Sequence, residues 1–395
     1  MNPVIVIPTY WTDGAAEERR PGAYDHATLF SDPHPELEAC LSSLVQVRGL
    51  PRIVLLVVCP EELCDAVVRR IEGMLAERPS LDVLMVTGRE AAAISTAVGR
   101  TAPAVGTGAV SLEGYGAIRN MGLAVAAVLG HDVVVFLDDD EVVLGPDFMK
   151  KALYGMGRET RQRLPILVKS GYFYDRKGSP MADTTKKMGI TNRWWTKRIE
   201  FNRWMAPALK GTRISRSNYL CGGCFAVHAR VFRRVAFDPY ITRGEDLDYL
   251  FNLRLFGLDA WFDNAWAVRH LPPAETESAP RFLQNVYRWY YEREKLAYAA
   301  RRPDLNQVTP ASLMPYPGPW ISDELDDRVR KTALARAVFT REHRGYWRIW
   351  RRGIGEAKEH ARKNNSNYLR FETFWPTIMN SLWNNAELAA RLEHR

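Results

Sequence analysis

Apolar positions in the first 140 residues come in short blocks that alternate between two periods. "VIVIPTY" (4–10), "RIVLLVVC" (52–59) and "LDVLMVTG" (81–88) are largely continuous apolar runs of strand length, the pattern of strands covered on both faces. Between them, "PELEACLSSL" (35–44) carries Leu37, Leu41 and Leu44 at helical spacing, with Pro35 suited to a first turn. "EELCDAVVRRIEGMLAE" (61–77) and "GAIRNMGLAVAAVLG" (116–130) also read as helices. This alternation predicts the α/β class, with a mainly parallel sheet and helices on both of its faces.

The next block, "VVVFLDDDEVV" (133–143), is a buried-strand pattern that stops abruptly at Asp138, Asp139, Asp140 and Glu141. Four adjacent carboxylates repel one another, so something positive has to sit among them. In parallel sheets ligands collect at the carboxyl ends of the strands, which is where these acids fall. They suit a hard divalent cation facing a diphosphate, or a solvated acidic turn that caps the following helix; the residues alone leave both open. Asp147, after Gly145 and Pro146, reads as a turn or cap residue. A second acidic pair, Glu245 and Asp246 in "RGEDLDYL", lies where a helix should begin. There it can complement the helix dipole or act as a proton acceptor.

Composition narrows the setting. A chain of 395 residues with 46% hydrophobic content buries a large core. No leader pattern opens it, and the apolar run "GLAVAAVLG" is cut by His131 and Asp132 well short of a membrane span. Five cysteines without a leader fit a reducing cytoplasm. "CGGC" (221–224) has no second pair to complete a zinc site. The net charge of +8 comes entirely from residues 281–395, which hold 21 Lys and Arg against 13 Asp and Glu. That region reads helical: "RFLQNVYRWYYEREKLAYAAR" sets Phe282, Val286 and Trp289 on one face. Further on, "REHRGYWRIWRRGIGEAKEHARK" interleaves five Arg between 341 and 352 with Trp347 and Trp350. A solvated helix packed on the rest is the default there, ahead of a membrane-surface helix or a nucleic-acid patch, and no nucleic-acid partner is expected. "FWPTIMNSLW" (374–383) reads as a docking segment.

In order and spacing these blocks resemble the nucleotide-sugar glycosyltransferases of the GT-A fold, most closely family 2, over about residues 3 to 271. The resemblance is carried by "VIVIPTY", by "GAIRNMGLAVAAVLGHDVVVFLDDDEVV", and by "GGCFAVHARVFRRVAFDPYITRGEDLDYLFNLRLFGLDAWFDNAWAVRH". It implies a GT-A catalytic domain over about 1–275, with a Rossmann-like, mainly parallel sheet, followed by a basic helical extension over 276–395. It further implies a UDP- or GDP-sugar donor, a divalent metal (Mn2+ or Mg2+), and a hydroxyl acceptor such as a saccharide or small acid.

The same resemblance assigns residues. Pro8, Thr9 and Tyr10 would lie by the nucleotide at the end of the opening strand, and Arg119 and Asn120 would face it. Asp138 and Asp139 would belong to the donor site, and Asp138, Asp140 and His270 to the metal. On its residues alone, His270 fits a core histidine equally well. Gly222 and Gly223 would be the small residues where substrate approaches backbone. Glu245 would orient a sugar, and Asp246 would be the general base of a single, inverting displacement.

Three departures stand out. The family's base-reading Asp turn is missing, and "VVCPEEL" offers only Glu61 or Glu62 in its place. Segment 11–34 is long and could form a flap over the donor. The basic, aromatic stretch 172–205 shows no clear period; its Trp194 and Trp195 suit stacking on an acceptor or pinning a loop. The runner-up is a retaining transferase of the mannosylglycerate-synthase kind. A lipid- or nucleic-acid-binding protein on a degenerate transferase core stands behind it. A cytoplasmic location is expected, with possible peripheral contact at the inner membrane surface through 341–352.

Overall fold

The computed structural model describes residues 1–14, 27–184, 189–272 and 278–393. Ten strands form one sheet: β1 (Pro3–Thr12), β2 (Thr28–Leu29), β3 (Ile53–Val58), β4 (Val83–Val86), β5 (Val133–Phe136), β6 (Glu141–Val143), β7 (Val168–Tyr174), β8 (Ile214–Arg216), β9 (Phe225–His228) and β10 (Trp261–His270). Their order is β4–β3–β1–β5–β9–β7–β10–β6, with β2 beside β1 and β8 beside β10. The β4–β3–β1–β5 half is parallel throughout, β9 runs against both of its neighbours, and β7 and β10 are again parallel.

The apolar strand runs are buried on both faces, and the two-residue period sorts their side chains between two cores. Val4 and Val6 of β1 and Val134 and Phe136 of β5 enter one cluster; Ile5, Ile7, Val133 and Val135 enter the other. Helices Glu36–Leu44 and Glu61–Ala76 cover the second face, contributing Leu37, Leu41, Val67 and Ile71. Helices Gly88–Thr101, Tyr115–Val128 and Glu245–Leu255 line the first.

Two of the helices are not among those read above. Gly88–Thr101 begins with a reciprocal capping box, in which Glu90 accepts from the Thr87 backbone N–H at 2.9 Å. Its T-x-x-E spacing was the available signal. Lys197–Lys210 has no such mark. Its buried face includes Glu200, which accepts from Trp320 Nε1 at 2.5 Å and Arg328 Nη1 at 2.8 Å. A charged residue on the inward face erases the apolar period.

The C-terminal helices share the first core with the sheet rather than forming a core of their own. Helix Ala279–Ala299 drives the join. Its Lys295 ammonium, fully buried, donates to Asp238 Oδ2 (2.9 Å), to Asn252 Oδ1 (2.9 Å) and to Asp248. Tyr291 adds a hydroxyl bond to Asp238 at 2.8 Å. Burial would lower the Lys295 pKa, but the two aspartates outweigh it and raise it. Further along, "FWPTIMNSLW" does dock: Trp375 Nε1 donates to the Phe232 carbonyl at 2.7 Å.

The arginine-rich stretch packs through Tyr346, Ile349 and Ile354, while Arg344, Arg348, Arg351, Arg352 and Trp347 remain exposed. No described helix is long and apolar enough to cross a membrane. Of the long 11–34 segment, β2 pairs with the end of β1, and residues 15–26, the middle of the expected flap, lie outside the described residues.

Replacing Lys295 with Met strands two buried aspartates. Urea unfolding of Lys295→Met should show a loss of about 3–5 kcal/mol, the cost of breaking a buried ion pair. A loss of about 1 kcal/mol or less, the range of an exposed pair, would mean that this contact does not hold the extension to the sheet.

Candidate active site

The sheet directions bring five chain segments to one edge. β1, β3, β5 and β10 end there, and reversed β9 begins there, preceded by the Cys221–Cys224 turn. The N-termini of helices Tyr115–Val128 and Glu245–Leu255 arrive at the same edge. The positive charge that the acidic cluster requires is Arg119, on the second turn of helix Tyr115–Val128 and only 6% exposed. Its Nη2 donates to Asp138 Oδ1 at 2.7 Å, its Nε to Glu245 Oε1 at 3.2 Å, and its guanidinium lies over the Phe136 ring at 5.1 Å. Burial alone would lower its pKa; the two carboxylates more than reverse that and raise it. Tyr10 closes the site from β1, its phenol pushed well up by burial.

The remaining acids divide by burial. Asp139 and Glu141 are buried, and burial with the neighbouring aspartates raises both carboxyls well above their ordinary values. Asp140 instead faces His270, with Oδ2 and Nε2 3.1 Å apart. The ring of His270 meets the Phe173 ring edge-on at 4.9 Å. Cis ligands of an octahedral ion about 2.1 Å away also stand about 3 Å apart, so this pair fits two positions on one divalent cation. Asp138 is committed to Arg119. Among the described residues, no three His, Cys, Asp or Glu side chains gather as a ready cation site.

Asp246 is held from below. Its Oδ2 accepts from the Gly222 N–H at 3.3 Å and its Oδ1 from the Leu247 N–H at 2.7 Å. Among the described residues it makes no close ion pair, whereas adjacent Glu245 is taken by Arg119 and pushed up by burial. The glycines of the turn make room for the protein's own side chains. A Cβ at Gly223 would lie 2.0 Å from Glu141 Oε2, and one at Gly222 would lie 3.0 Å from Arg119 Nη2. Gly244, ahead of the acidic pair, has a positive φ of 71° and is pressed against the Arg288 guanidinium.

Some expected site residues sit differently. Asn120 does not face a nucleotide. It is fully buried, and its amide is spent on backbone: Nδ2 donates to the Ala109 and Phe237 carbonyls, and Oδ1 accepts from Phe237 N–H. That pins the helix carrying Arg119. Trp195 packs edge-on against Phe282 (4.8 Å) and Trp320 (4.7 Å), joining the loop to the C-terminal helices. Trp194 is half-buried beside Arg193. Glu61 is exposed in the first turn after β3. Pro8 and Thr9 are buried in β1, in register with Leu56 and Val57 of β3.

What the reading above missed is the placement of Glu141 against the glycine turn and a group around Asp246. Arg288, Arg243, Lys197, Tyr219 and Tyr316 all have Asp246 as an electrostatic neighbour or share one with it. These residues are scattered from 197 to 316 in blocks with no common motif. The spacing 288, 292, 295 on a helix was visible, but a charged stripe ordinarily reads as a solvated face.

A family model described as "Glycosyltransferase like family 2" matches residues 51–292. No curated protein matches the chain. Among solved structures it is similar to a mannosyltransferase from Pyrobaculum calidifontis in complex with GDP-Man and Mn2+. The two are 13% identical over 92% of this chain and 86% of that one, with a TM-score of 0.46. It is also similar to GalNAc-T7 with UDP, GalNAc and Mn2+, at 13% identity over 77% and 52%, with a TM-score of 0.44.

The glycine turn is directly testable by urea unfolding. Gly223→Ala drives a methyl into a buried carboxylate and should cost about 1–3 kcal/mol. Gly222→Ala meets only the tip of a guanidinium and should cost less. Equal, small losses would mean that Glu141 does not lie against this turn.

Proposed function

Since the chain belongs to the glycosyltransferase like family 2, whose GT-A fold its sheet adopts, we propose that it moves a sugar from a nucleotide-diphosphate donor to a hydroxyl acceptor by single displacement, with Asp246 as the general base. One observation carries this reading. Arg119 joins Asp138 to Glu245 and occupies both, whereas Asp246, one residue on, makes no close ion pair among the described residues and is aligned by two backbone N–H groups.

In the proposed step the acceptor hydroxyl gives its proton to Asp246 while its oxygen attacks the anomeric carbon. The bond to the diphosphate oxygen breaks, that oxygen leaves with the electron pair, and the anomeric centre inverts. Asp138, fixed by Arg119, orients the donor's ribose or sugar, and Glu245 keeps Arg119 in place. Asp140 and His270 would hold a divalent ion, Mn2+ or Mg2+, which would lend positive charge to the leaving diphosphate. Asp139 and Glu141, buried and crowded by like charges, fit an edge that receives a cation. Trp194 is kept as an acceptor-side candidate.

The metal assignment has a readout apart from turnover. Manganese with a nucleoside diphosphate should raise the unfolding temperature of the wild type, because a ligand that binds only the folded state stabilises it. Asp140→Ala and His270→Ala should each lose most of that rise. A full response in Asp140→Ala would remove Asp140 from the metal.

For the base, Asp246→Asn keeps the shape and one of the two backbone hydrogen bonds, its NH2 being unable to accept the other, and it cannot accept a proton at neutral pH. It should unfold within a few degrees of the wild type and bind the metal–nucleotide normally, while transfer falls by about two to four orders of magnitude. Proton NMR of the wild-type product should show the anomeric configuration opposite to the donor's. Near-normal transfer by Asp246→Asn would reduce that residue to a helix-start acid, and a retained configuration would reject single displacement.

A further inference from the structure

Three cations lie near Asp246. Lys197 starts one helix, Arg243 precedes another, and Arg288 projects from helix Ala279–Ala299. Among the described residues, the strongest electrostatic neighbours of Lys197 are Arg288, Arg243, Asp246 and Glu292. The Lys197 ammonium and the Arg288 guanidinium both stand over the Trp289 ring, at 5.6 and 4.6 Å.

Two details show cations short of partners. Arg288 is 4% exposed; its Nε donates to Glu292 Oε1 at 3.2 Å, but Nη2 has no hydrogen-bond acceptor among the described residues. That guanidinium is pressed against Gly244, where a Cβ would come within 1.9 Å of Nη1, so only glycine lets it reach the start of the Glu245–Asp246 helix. Lys197 makes no ion pair among the described residues, and burial together with the two guanidiniums pulls its ammonium down to about 7. A buried donor without an acceptor is costly, and so is a half-buried ammonium without a counter-charge. Here the cost falls beside the proposed base, where an incoming anion would relieve it.

We infer that the acceptor carries an oxyanion, a carboxylate or a phosphate, which Lys197, Arg243 and Arg288 hold so that a hydroxyl of the same molecule reaches Asp246. This rests on Asp246 being the base of the proposed transfer. Tyr316 and Tyr219, which border Asp246 and both pack edge-on against Phe201, wall the space that the rest of such an acceptor would fill. The aromatic surface at the acceptor is then tyrosine from 219 and 316, while Trp195 serves packing.

The test is thermal unfolding of the full chain with malonate and with inorganic phosphate at constant ionic strength. Glucuronate against glucose is added as a pair that differs in a carboxylate. Wild type should be stabilised saturably by malonate or phosphate, and by glucuronate at lower concentration than glucose; which of the two simple anions acts tells carboxylate from phosphate. Lys197→Gln removes no ion pair and should unfold at the wild-type temperature without ligand. Its apparent affinity for the anion should be about tenfold or more weaker, as for the loss of a charged hydrogen bond, and Lys197→Arg should recover most of it.

A second measurement needs no variant. Malonate affinity of the wild type should fall several-fold from pH 6.5 to 9, as Lys197 loses its proton and Glu292, pushed up to about 8 by burial, ionises beside it. Arg243, Arg288 and Asp246 also face Lys197. No saturable response to any of the anions, or an unchanged response in Lys197→Gln, overturns the inference. A nucleoside diphosphate with manganese separates the two readings. An anion response without nucleotide binding sinks the donor reading alone, and nucleotide binding without an anion response sinks this one alone.

Discussion

A guanidinium cannot be buried at the end of a sheet unless carboxylates come to meet it, and Arg119 places that demand on three parts of the chain at once. It lies on the helix leading into β5, bonds Asp138 at the end of β5, and bonds Glu245 at the start of a helix more than a hundred residues later. Removing either acid would leave the buried guanidinium with one carboxylate and an unsatisfied donor, an expensive outcome in a low-dielectric interior. The site edge is therefore tied together by charge as well as by packing. Because Glu245 satisfies Arg119, the next carboxylate, Asp246, is not consumed by structure.

A second buried cation does for the extension what Arg119 does for the edge. Lys295 reaches Asp238 and Asp248, and so fixes both the loop before the Glu245–Asp246 helix and the helix itself. The C-terminal helices thus belong to the catalytic core. Arg288, two helical turns before Lys295, lands against Gly244 for the same geometric reason. The extension brings Arg288 to the Asp246 side of the edge, while β1 and β5 bring Tyr10 and Asp138 to the Arg119 side.

Close approach is the third constraint. The Cys221–Cys224 turn passes so near Glu141 and Arg119 that side chains at 222 and 223 would collide with them. Its two cysteines are buried free thiols, held in the neutral form by burial, which raises their pKa. The glycines admit the protein's own charged groups and leave the Gly222 N–H free to align Asp246.

The sequence by itself determined the strand runs, the helix spacing of the first half, the acidic edge and the residue types at it. These follow from local periods and from repulsion within one short stretch. It also presented Arg119, Asp140, His270 and Asp246 through a family pattern that places motifs in order. Only the tertiary structure decided which groups each of them meets. Asn120, next to Arg119 in sequence, turns inward and binds backbone, because adjacent residues on a helix point about 100° apart and one of them had to pin the helix to Phe237. Trp195, an aromatic in a basic loop, is drawn into packing by Phe282 and Trp320, which lie far away in sequence. Lys197, Arg243 and Arg288 carry no local signal, since three cations on three elements acquire a common meaning only when the sheet and the extension bring them beside one carboxylate. Long-range electrostatics depends on distance in space, and residue order does not encode that distance until the chain has folded.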